Sequence, residues 1–249
     1  MNVSYAPSCD QINNLFQEVA LSRGGILQNQ YITENVLIAR AHSLEGLADE
    51  VTPGDRMDGG IAIRVSGPQI SVHSFTMREV CDNGAIAATT HLNKRMLRVN
   101  DEEFNAGSKL MCLSELREML IVCSSREAFS QNIRQMRKMS NTQIDTAINI
   151  SSHLQDVLKD FGDELIESVL KEFFSQEDMS LYGVMNAITA VARETKDPQE
   201  KWDLEELGGG IGAKLLPIVD PDSNVARNTR PAEPQKEMLV ATGDARNTI

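Results

Sequence analysis

The spacing of apolar residues divides the chain into a β-rich part and a helical part. Residues 31–90 are β-rich and include runs in which apolar and polar residues alternate, as in strands that bury one face. The alternating runs at 60–66 and 69–75 flank Gly67-Pro68, which predicts a β-hairpin. Residues 36–42 predict a further strand.

A second turn signal follows the predicted hairpin. Asn83-Gly84 predicts a tight turn, because both residues accept a positive φ angle. Residues 85–90 predict a short strand after that turn. The β-rich part is therefore expected to form an antiparallel sheet.

From about residue 108 apolar residues recur every three or four positions, which is typical of amphipathic helices. The signals that predict helix starts are the capping-box sequence Ser124-Ser125-Arg126-Glu127, Asn141 or Thr142, Asp163 with Glu164, Ser180, and Asp197-Pro198. Gly208-Gly209-Gly210 predicts the end of the last helix. We therefore predict an α+β fold, with N-terminal antiparallel β-hairpins packed against a C-terminal bundle of five or six helices.

The same pattern gives a domain organisation. Residues 1–30 predict an N-terminal arm or helix, and 31–216 a single α+β domain, β-rich over 31–90 and helical over 108–216. Residues 217–249 are rich in proline, carry mixed charge and contain almost no aromatic residue, which predicts a disordered tail.

Composition places the chain among ordinary globular proteins. Hydrophobic residues make up 41% and charged residues 24% of the 249 positions. No run approaches the roughly 18 apolar residues of a membrane span, and the N-terminus lacks the pattern of a signal peptide. The four cysteines form no CxxC pair, so we expect reduced thiols in an intracellular protein without a membrane partner.

Charge is distributed unevenly. The net charge of −12 argues against a protein that coats nucleic acid with its whole surface. Residues 91–138, however, contain nine Lys and Arg against six Asp and Glu, a net of +3, whereas residues 155–206 carry a net of −9. A chain that is acidic overall can therefore present one basic surface, although solvated helix faces would give the same counts.

Two sequence blocks resemble a known family. Val80-Cys81-Asp82-Asn83-Gly84 resembles the Val-Cys-Ser-Asn-Gly block of phage- and plasmid-borne proteins catalogued as domain of unknown function 932, with Asp82 where Ser is common. Asn186-Ala187-Ile188-Thr189, followed by Leu204-Glu205 and Gly208, resembles the second landmark of that family. The resemblance covers roughly residues 30–215. It implies a mobile-element origin, the cytoplasm of a prokaryotic host and no established activity.

The predicted helix around Asn186 carries an unusual polar stripe. Tyr182, Asn186, Thr189 and Arg193 are spaced i, i+4, i+7 and i+11, which aligns them on one side. Their hydrogen-bonding groups suit a phosphate, a base or the backbone of a partner. The alternative is a half-buried stripe that hydrogen-bonds the β-rich part, at the turn of Asn83.

Basic residues supply a second candidate binding surface. They are Lys94, Arg95 and Arg98, then Arg126, Arg134, Arg137 and Lys138. Such a set can follow a phosphate backbone with salt-sensitive affinity. Aromatic residues for base stacking are few, and the plausible platforms are Tyr182, Phe104 and Phe129. We therefore predict a binding protein for single- or double-stranded nucleic acid, or for a nucleic-acid-processing complex, that forms a homo-oligomer.

Two other functions stay open. Asp49, Glu50, Asp55 and Asp58 cluster before the hairpin, and paired carboxylates can hold Mg²⁺ in a hydrolase that acts on phosphate esters or nucleotides. The acidic helices and the tail also suit a structural or assembly protein.

Other chemistry has weaker support in the sequence. Cys81 as a nucleophile would need His73 or His91 as its base, and no orienting acid stands at a recognisable spacing. The glycines of 208–212 follow a helix, and Lys214 lacks the Ser or Thr of a P-loop. We therefore predict no cofactor and no metal site.

Overall fold

The computed structural model describes residues 6–28, 30–87, 94–98, 106–144 and 147–219. The strands are β1 (Ile26–Leu27), β2 (Tyr31–Ile32), β3 (Val36–His42), β4 (Ala48–Glu50), β5 (Arg56–Ser66), β6 (Gln69–Arg78), β7 (Asn83–Ile86) and β8 (Lys94–Arg98). The helices are α1 (Cys9–Leu21), α2 (Ala106–Cys123), α3 (Arg126–Ser140), α4 (Ala147–Leu158), α5 (Asp163–Ser175), α6 (Leu181–Glu194) and α7 (Pro198–Val219), with a 3₁₀ turn at Lys159–Phe161. The predicted α+β fold is confirmed.

The strands form one antiparallel sheet around the long β5–β6 hairpin. β3 and β4 both pair with β5, β1 and β2 pair with β3, and β7 and β8 both pair with β6. The hairpin turns at Gly67, whose φ of 53° lies in the left-handed region that glycine adopts without strain. The predicted hairpin and the strand at 36–42 are both confirmed.

The predicted turn at Asn83-Gly84 is wrong, because both residues lie in β7. Asn83 pairs with Arg78 and Gly84 with Met77. The turn is made by residues 79–82, and Asp82 has the positive φ, 51°. Gly84 instead permits close packing, since a Cβ there would lie 2.5 Å from Cζ of Phe75.

The two faces of the sheet bury different clusters. Successive side chains of a strand point to opposite faces. One face contributes Leu37, Ala39, Ile61, Ile63 and Val72 to the main core, which includes residues of α1 and α2. The other face packs on the first half of α7, where Trp202 is fully buried with Ile38, Ala62, Phe75, Met77 and Ile86.

Helix α7 is longer than predicted. It continues through Gly208-Gly209-Gly210 to Val219, so the predicted stop is wrong and residues 217–219 are helical. Tertiary contact explains the glycines: a Cβ on Gly209 would lie 2.1 Å from the carbonyl oxygen of Ile86, and one on Gly208 2.8 Å from Cγ2 of Thr189. These glycines let α7 approach β7 and α6 closely.

The predicted start at Asn141 or Thr142 is wrong: Asn141 is the C-cap of α3, where its side-chain amide donates to the carbonyl oxygen of Arg137 at 2.9 Å. The predicted starts near Ser125, Ser180 and Asp197 agree with the caps. The hydroxyl of Ser125 accepts from the N–H of Ala128, that of Ser180 accepts from Gly183, and Asp197 accepts from Gln199 and Glu200. Within the described residues no helix is long and apolar enough to cross a membrane. His91, Phe104 and the tail from residue 220 lie outside the described residues.

Candidate functional site

The polar stripe of α6 is mostly buried. Tyr182, Asn186 and Thr189 are each 1–3% exposed. Thr189 Oγ1 donates to the carbonyl oxygen of Met185 at 3.0 Å, and Asn186 hydrogen-bonds the Tyr182 hydroxyl. These three side chains therefore act inside the protein and are not on the surface for a large ligand.

Tyr182 joins α6 to the ends of two strands. Its hydroxyl donates to Asp55 Oδ2 at 2.8 Å, and Arg78 Nε donates to Asp55 Oδ1 at 2.6 Å. The Arg78 guanidinium lies 5.8 Å from the centre of the Tyr182 ring. Burial and the neighbouring Asp55 carboxylate raise the pKa of Tyr182, so the phenol stays protonated and keeps its donor role.

Arg193 connects the exposed end of the stripe to the 79–82 turn. Its Nη1 donates to the carbonyl oxygen of Cys81 at 2.5 Å and to Asn83 Oδ1 at 3.4 Å. Asn83 is itself 5% exposed. The blocks around Asn83 and Asn186, far apart in sequence, therefore meet here. The contacts agree with the alternative in which the stripe hydrogen-bonds the β-rich part of the protein.

Cys81 has no base among the described residues. Its half-buried sulfur accepts from Arg78 Nη1 at 3.8 Å. His73 is fully buried, and its Nδ1 hydrogen-bonds the carbonyl oxygen of Ala87 at 3.1 Å. The described contact of the thiol is with a cation, and His73 is engaged elsewhere, so neither residue supplies the base that nucleophilic catalysis needs.

Three of the four carboxylates in the predicted acidic cluster are separately engaged. Asp55 binds Arg78 and Tyr182, Asp58 accepts from Ser43 at 2.6 Å, and Asp49 accepts from Arg137 at 2.7 Å. Across the part of the chain that the structure describes, no three His, Cys, Asp or Glu residues group in a way that could hold a metal ion.

A charged seam joins the sheet to α7. The strand register aligns Arg40, Ala62, His73 and Lys94 in one row across β3, β5, β6 and β8. Glu205 of α7 binds Arg40 at 2.5 Å and Glu206 binds Lys94 at 2.5 Å. Lys94, a predicted binding residue, therefore already has an internal partner.

Trp202 lies in the middle of this seam. Its ring centre is 5.3 Å from the Arg40 guanidinium and 5.3 Å from the His73 ring, which meets it edge-on. Burial lowers the pKa of His73 to about 4, against the opposing effect of Glu206, so the imidazole is neutral near pH 7. This seam was not predicted from the sequence. Arg40 inside an apolar strand was the signal that could have indicated it, because a buried charge requires a partner.

Four cations on β8 and α3 have no ion-pair partner among the described residues. Arg95, Arg126 and Arg134 are exposed and Lys138 is half-buried. None of the four makes an ion pair within the described ranges. The backbone of Arg98 pairs with Gln69, and its side chain lies outside the described part.

Cys123 brings the two basic segments together. Its carbonyl oxygen accepts from the Ser74 hydroxyl, and its thiol donates to the carbonyl oxygen of Val72 at 3.5 Å. Burial raises the pKa of Cys123 to about 12, while the charge and the backbone of neighbouring Arg95 act in the opposite direction. Since α3 begins three residues later at Arg126, Arg95 lies close to the start of α3.

We name the set Arg95, Arg126, Arg134 and Lys138 the basic face. Helix α3 carries four cations and one anion, a net of +3 in a chain of net −12. Arg126 and Lys138 are about 18 Å apart along the helix axis at 1.5 Å per residue. Unpaired cations spread over that distance can bind several phosphate groups of one backbone.

Comparison of the chain with protein-family models, with curated proteins and with solved structures gave no match in any of the three. The resemblance to domain of unknown function 932 therefore stays a prediction.

Proposed function

We propose that this chain is a nucleic-acid-associated binding protein, an accessory protein of a phage or plasmid, that contacts phosphates through the basic face. The observation that supports this function is the set of four cations on β8 and α3 that make no ion pair with any other described residue. The other predicted cations that the structure describes, Lys94, Arg137 and Arg193, have carboxylate neighbours. The mobile-element origin rests on the sequence resemblance alone.

The available side chains favour backbone contact over base stacking. Two of the aromatic residues considered as stacking platforms, Phe129 and Tyr182, are 5% and 2% exposed. Binding through Lys and Arg alone is independent of sequence and strongly dependent on salt. The acidic remainder of the protein opposes association, so we expect affinity to be measurable at low salt and to fall steeply as salt is added.

The hydrolase is less well supported. Three of its four proposed metal ligands, Asp49, Asp55 and Asp58, are held by other side chains, as described above. Thermal unfolding measured with Mg²⁺, Mn²⁺ and Zn²⁺ tests it, and a stabilisation that Asp55→Ala or Asp58→Ala removes would support the hydrolase.

The binding function is tested by titrating a fluorescent 20-base-pair duplex, and its single strand, with the protein at 20 to 200 mM salt. Four phosphate contacts predict a slope of log K against log salt of about −3.6 for the duplex, at about −0.9 per contact. Arg134→Ala with Lys138→Ala should reduce the slope to about −1.8.

Lys171→Ala is the control for loss of a positive charge outside the basic face. Lys171 is an exposed lysine on α5 without an ion pair within the described residues, so its removal changes net charge but not the basic face. The control should keep the wild-type slope. Absence of binding at micromolar protein and 20 mM salt, or equal losses in the control and in the double variant, would contradict the proposal.

The predicted homo-oligomer is a separate proposal. Light scattering with and without the duplex measures the molar mass of the particles. A single large species whose mass does not change when duplex is added would favour an assembly protein instead.

A further inference from the structure

Arg137 lies beside the basic face but is engaged differently. On α3 it is three residues from Arg134, a spacing that makes the two side chains neighbours on the helix surface. Its guanidinium contacts β4: Nη2 donates to Asp49 Oδ1 at 2.7 Å, and Nε donates to the carbonyl oxygen of Glu50 at 3.0 Å. A second contact joins Nη2 to the same carbonyl at 2.5 Å.

We propose that Arg137 is a further phosphate-binding residue beside the basic face, and that Asp49 occupies its guanidinium in the free protein. This inference rests on the proposed function of that face. Asp49 is an intramolecular competitor: a bound phosphate takes its place on the guanidinium, and the Asp49 carboxylate returns to water. Arginine suits this exchange, because its planar fork binds carboxylate and phosphate with the same geometry.

The exposure of the pair permits this exchange. The side chains of Arg137 and Asp49 are 43% and 44% exposed, so neither charge is trapped in the interior. Exposed ion pairs are weak and are screened by salt. By contrast, Arg40 and Glu205 are 5% and 3% exposed, and separating them would leave buried charges. Arg137 can therefore change partner at little cost, which Arg40 cannot do.

Because of the position of β4, release of the Asp49 carboxylate from Arg137 affects one short strand. All three residues of β4 are exposed, and among the described strands β4 pairs only with β5. The contacts of Arg137 with the Glu50 carbonyl are made to backbone, so they persist when the Asp49 carboxylate is removed. Asp49→Asn therefore tests the competition without disturbing the sheet.

The experiment compares Asp49→Asn with the control Glu167→Gln in the duplex titration. Glu167 is an exposed carboxylate on α5 without an ion pair in the described part of the chain, so both variants change net charge by one. We expect Asp49→Asn to tighten duplex binding about two- to fivefold more than the control does, the range that an exposed ion pair represents. To the extent that Asp49 still holds Arg137 in the wild-type complex, Asp49→Asn should also steepen the salt slope, by up to about 0.9 for one additional phosphate contact.

A second variant assigns the effect to Arg137. In the Arg137→Ala background, Asp49→Asn should give no more gain than Glu167→Gln gives in that background, because the competitor has lost its target. If wild-type protein binds duplex with the expected slope but Asp49→Asn equals Glu167→Gln, the competition is refuted and the proposed function stands. If wild-type protein and Asp49→Asn both fail to bind, the proposed function and this inference fail together.

Discussion

The glycine run of α7 gives the sharpest test of the packing. Intrinsic helix propensity predicts that Gly→Ala at any interior position of this helix stabilises the protein by about 0.5–1 kcal/mol. Gly209 and Gly210 are neighbours with opposite surroundings. A Cβ on Gly210 would meet nothing within 4 Å, whereas one on Gly209 would lie 2.1 Å from the oxygen and 2.6 Å from the carbon of the Ile86 carbonyl.

The two substitutions should therefore differ in sign. Gly210→Ala should stabilise by about 0.5–1 kcal/mol, the full propensity gain. For Gly209→Ala the obstructing atoms are backbone atoms of β7, which cannot rotate away, so α7 or β7 must move. Overpacking of a core costs typically about 1–3 kcal/mol, and a contact with rigid backbone belongs at the upper end of that range or beyond. After subtraction of the propensity gain we expect a net destabilisation of about 2 kcal/mol.

Gly212→Ala provides an intermediate case. Its Cβ would lie 2.3 Å from Sδ of Met139 and 3.0 Å from Nε2 of Gln135, both at or near the ends of flexible side chains. These side chains can move, so the loss should be smaller than for Gly209→Ala.

Urea unfolding followed by circular dichroism gives the free energy of unfolding, and thermal melts give the midpoint. For a chain of this size about 1 kcal/mol corresponds to about 2–4 °C. The midpoint should rise by about 1–4 °C for Gly210→Ala and fall by about 4–8 °C for Gly209→Ala. Equal stabilisation by both substitutions would refute the close approach of α7 to β7.

Three further predictions concern the buried polar contacts. The folded protein holds the pKa of His73 at about 4, below the ordinary 6.5, so between these pH values only the unfolded chain binds the proton. The free energy of unfolding should therefore decrease by about 3 kcal/mol as the pH is lowered from 6.5 to 4. Urea unfolding of His73→Phe should lack this contribution. Glu205→Leu leaves the Arg40 charge buried without its carboxylate and should cost about 3–5 kcal/mol, whereas adding Arg40→Met should restore most of that loss in the same assay. Tyr182→Phe removes the donor to Asp55 and should cost about 1–3 kcal/mol, and an unchanged midpoint would show that this hydrogen bond is dispensable.

Local sequence patterns determined the architecture. The alternation over residues 60–75 with Gly67-Pro68 predicts the central hairpin, and the capping residues Ser180 and Asp197 predict where α6 and α7 begin. These signals suffice to predict the elements because the two strands of a hairpin are consecutive along the chain, and a capping side chain bonds to backbone within three residues. The basic character of β8 and α3 was likewise visible from composition alone.

Only the tertiary structure decided which of these charges remain available. Arg137 finds Asp49 across 88 positions of sequence, Lys94 finds Glu206 across 112, and Arg40 finds Glu205 across 165. The proximity of Arg95 to the start of α3 also depends on where Cys123 packs on the sheet.

Tertiary structure also decided the role of residues that have more than one interpretation in sequence. The sequence around Gly209 predicts a helix stop, because the contact that requires glycine there is made with Ile86, on a distant strand of the sheet. Tyr182 reads as a surface group because its partner Asp55 lies 127 residues away. Propensity and periodicity are local properties, whereas burial and charge pairing arise when distant segments meet, so the sequence predicted the elements and the folded chain decided which side chains are free to bind.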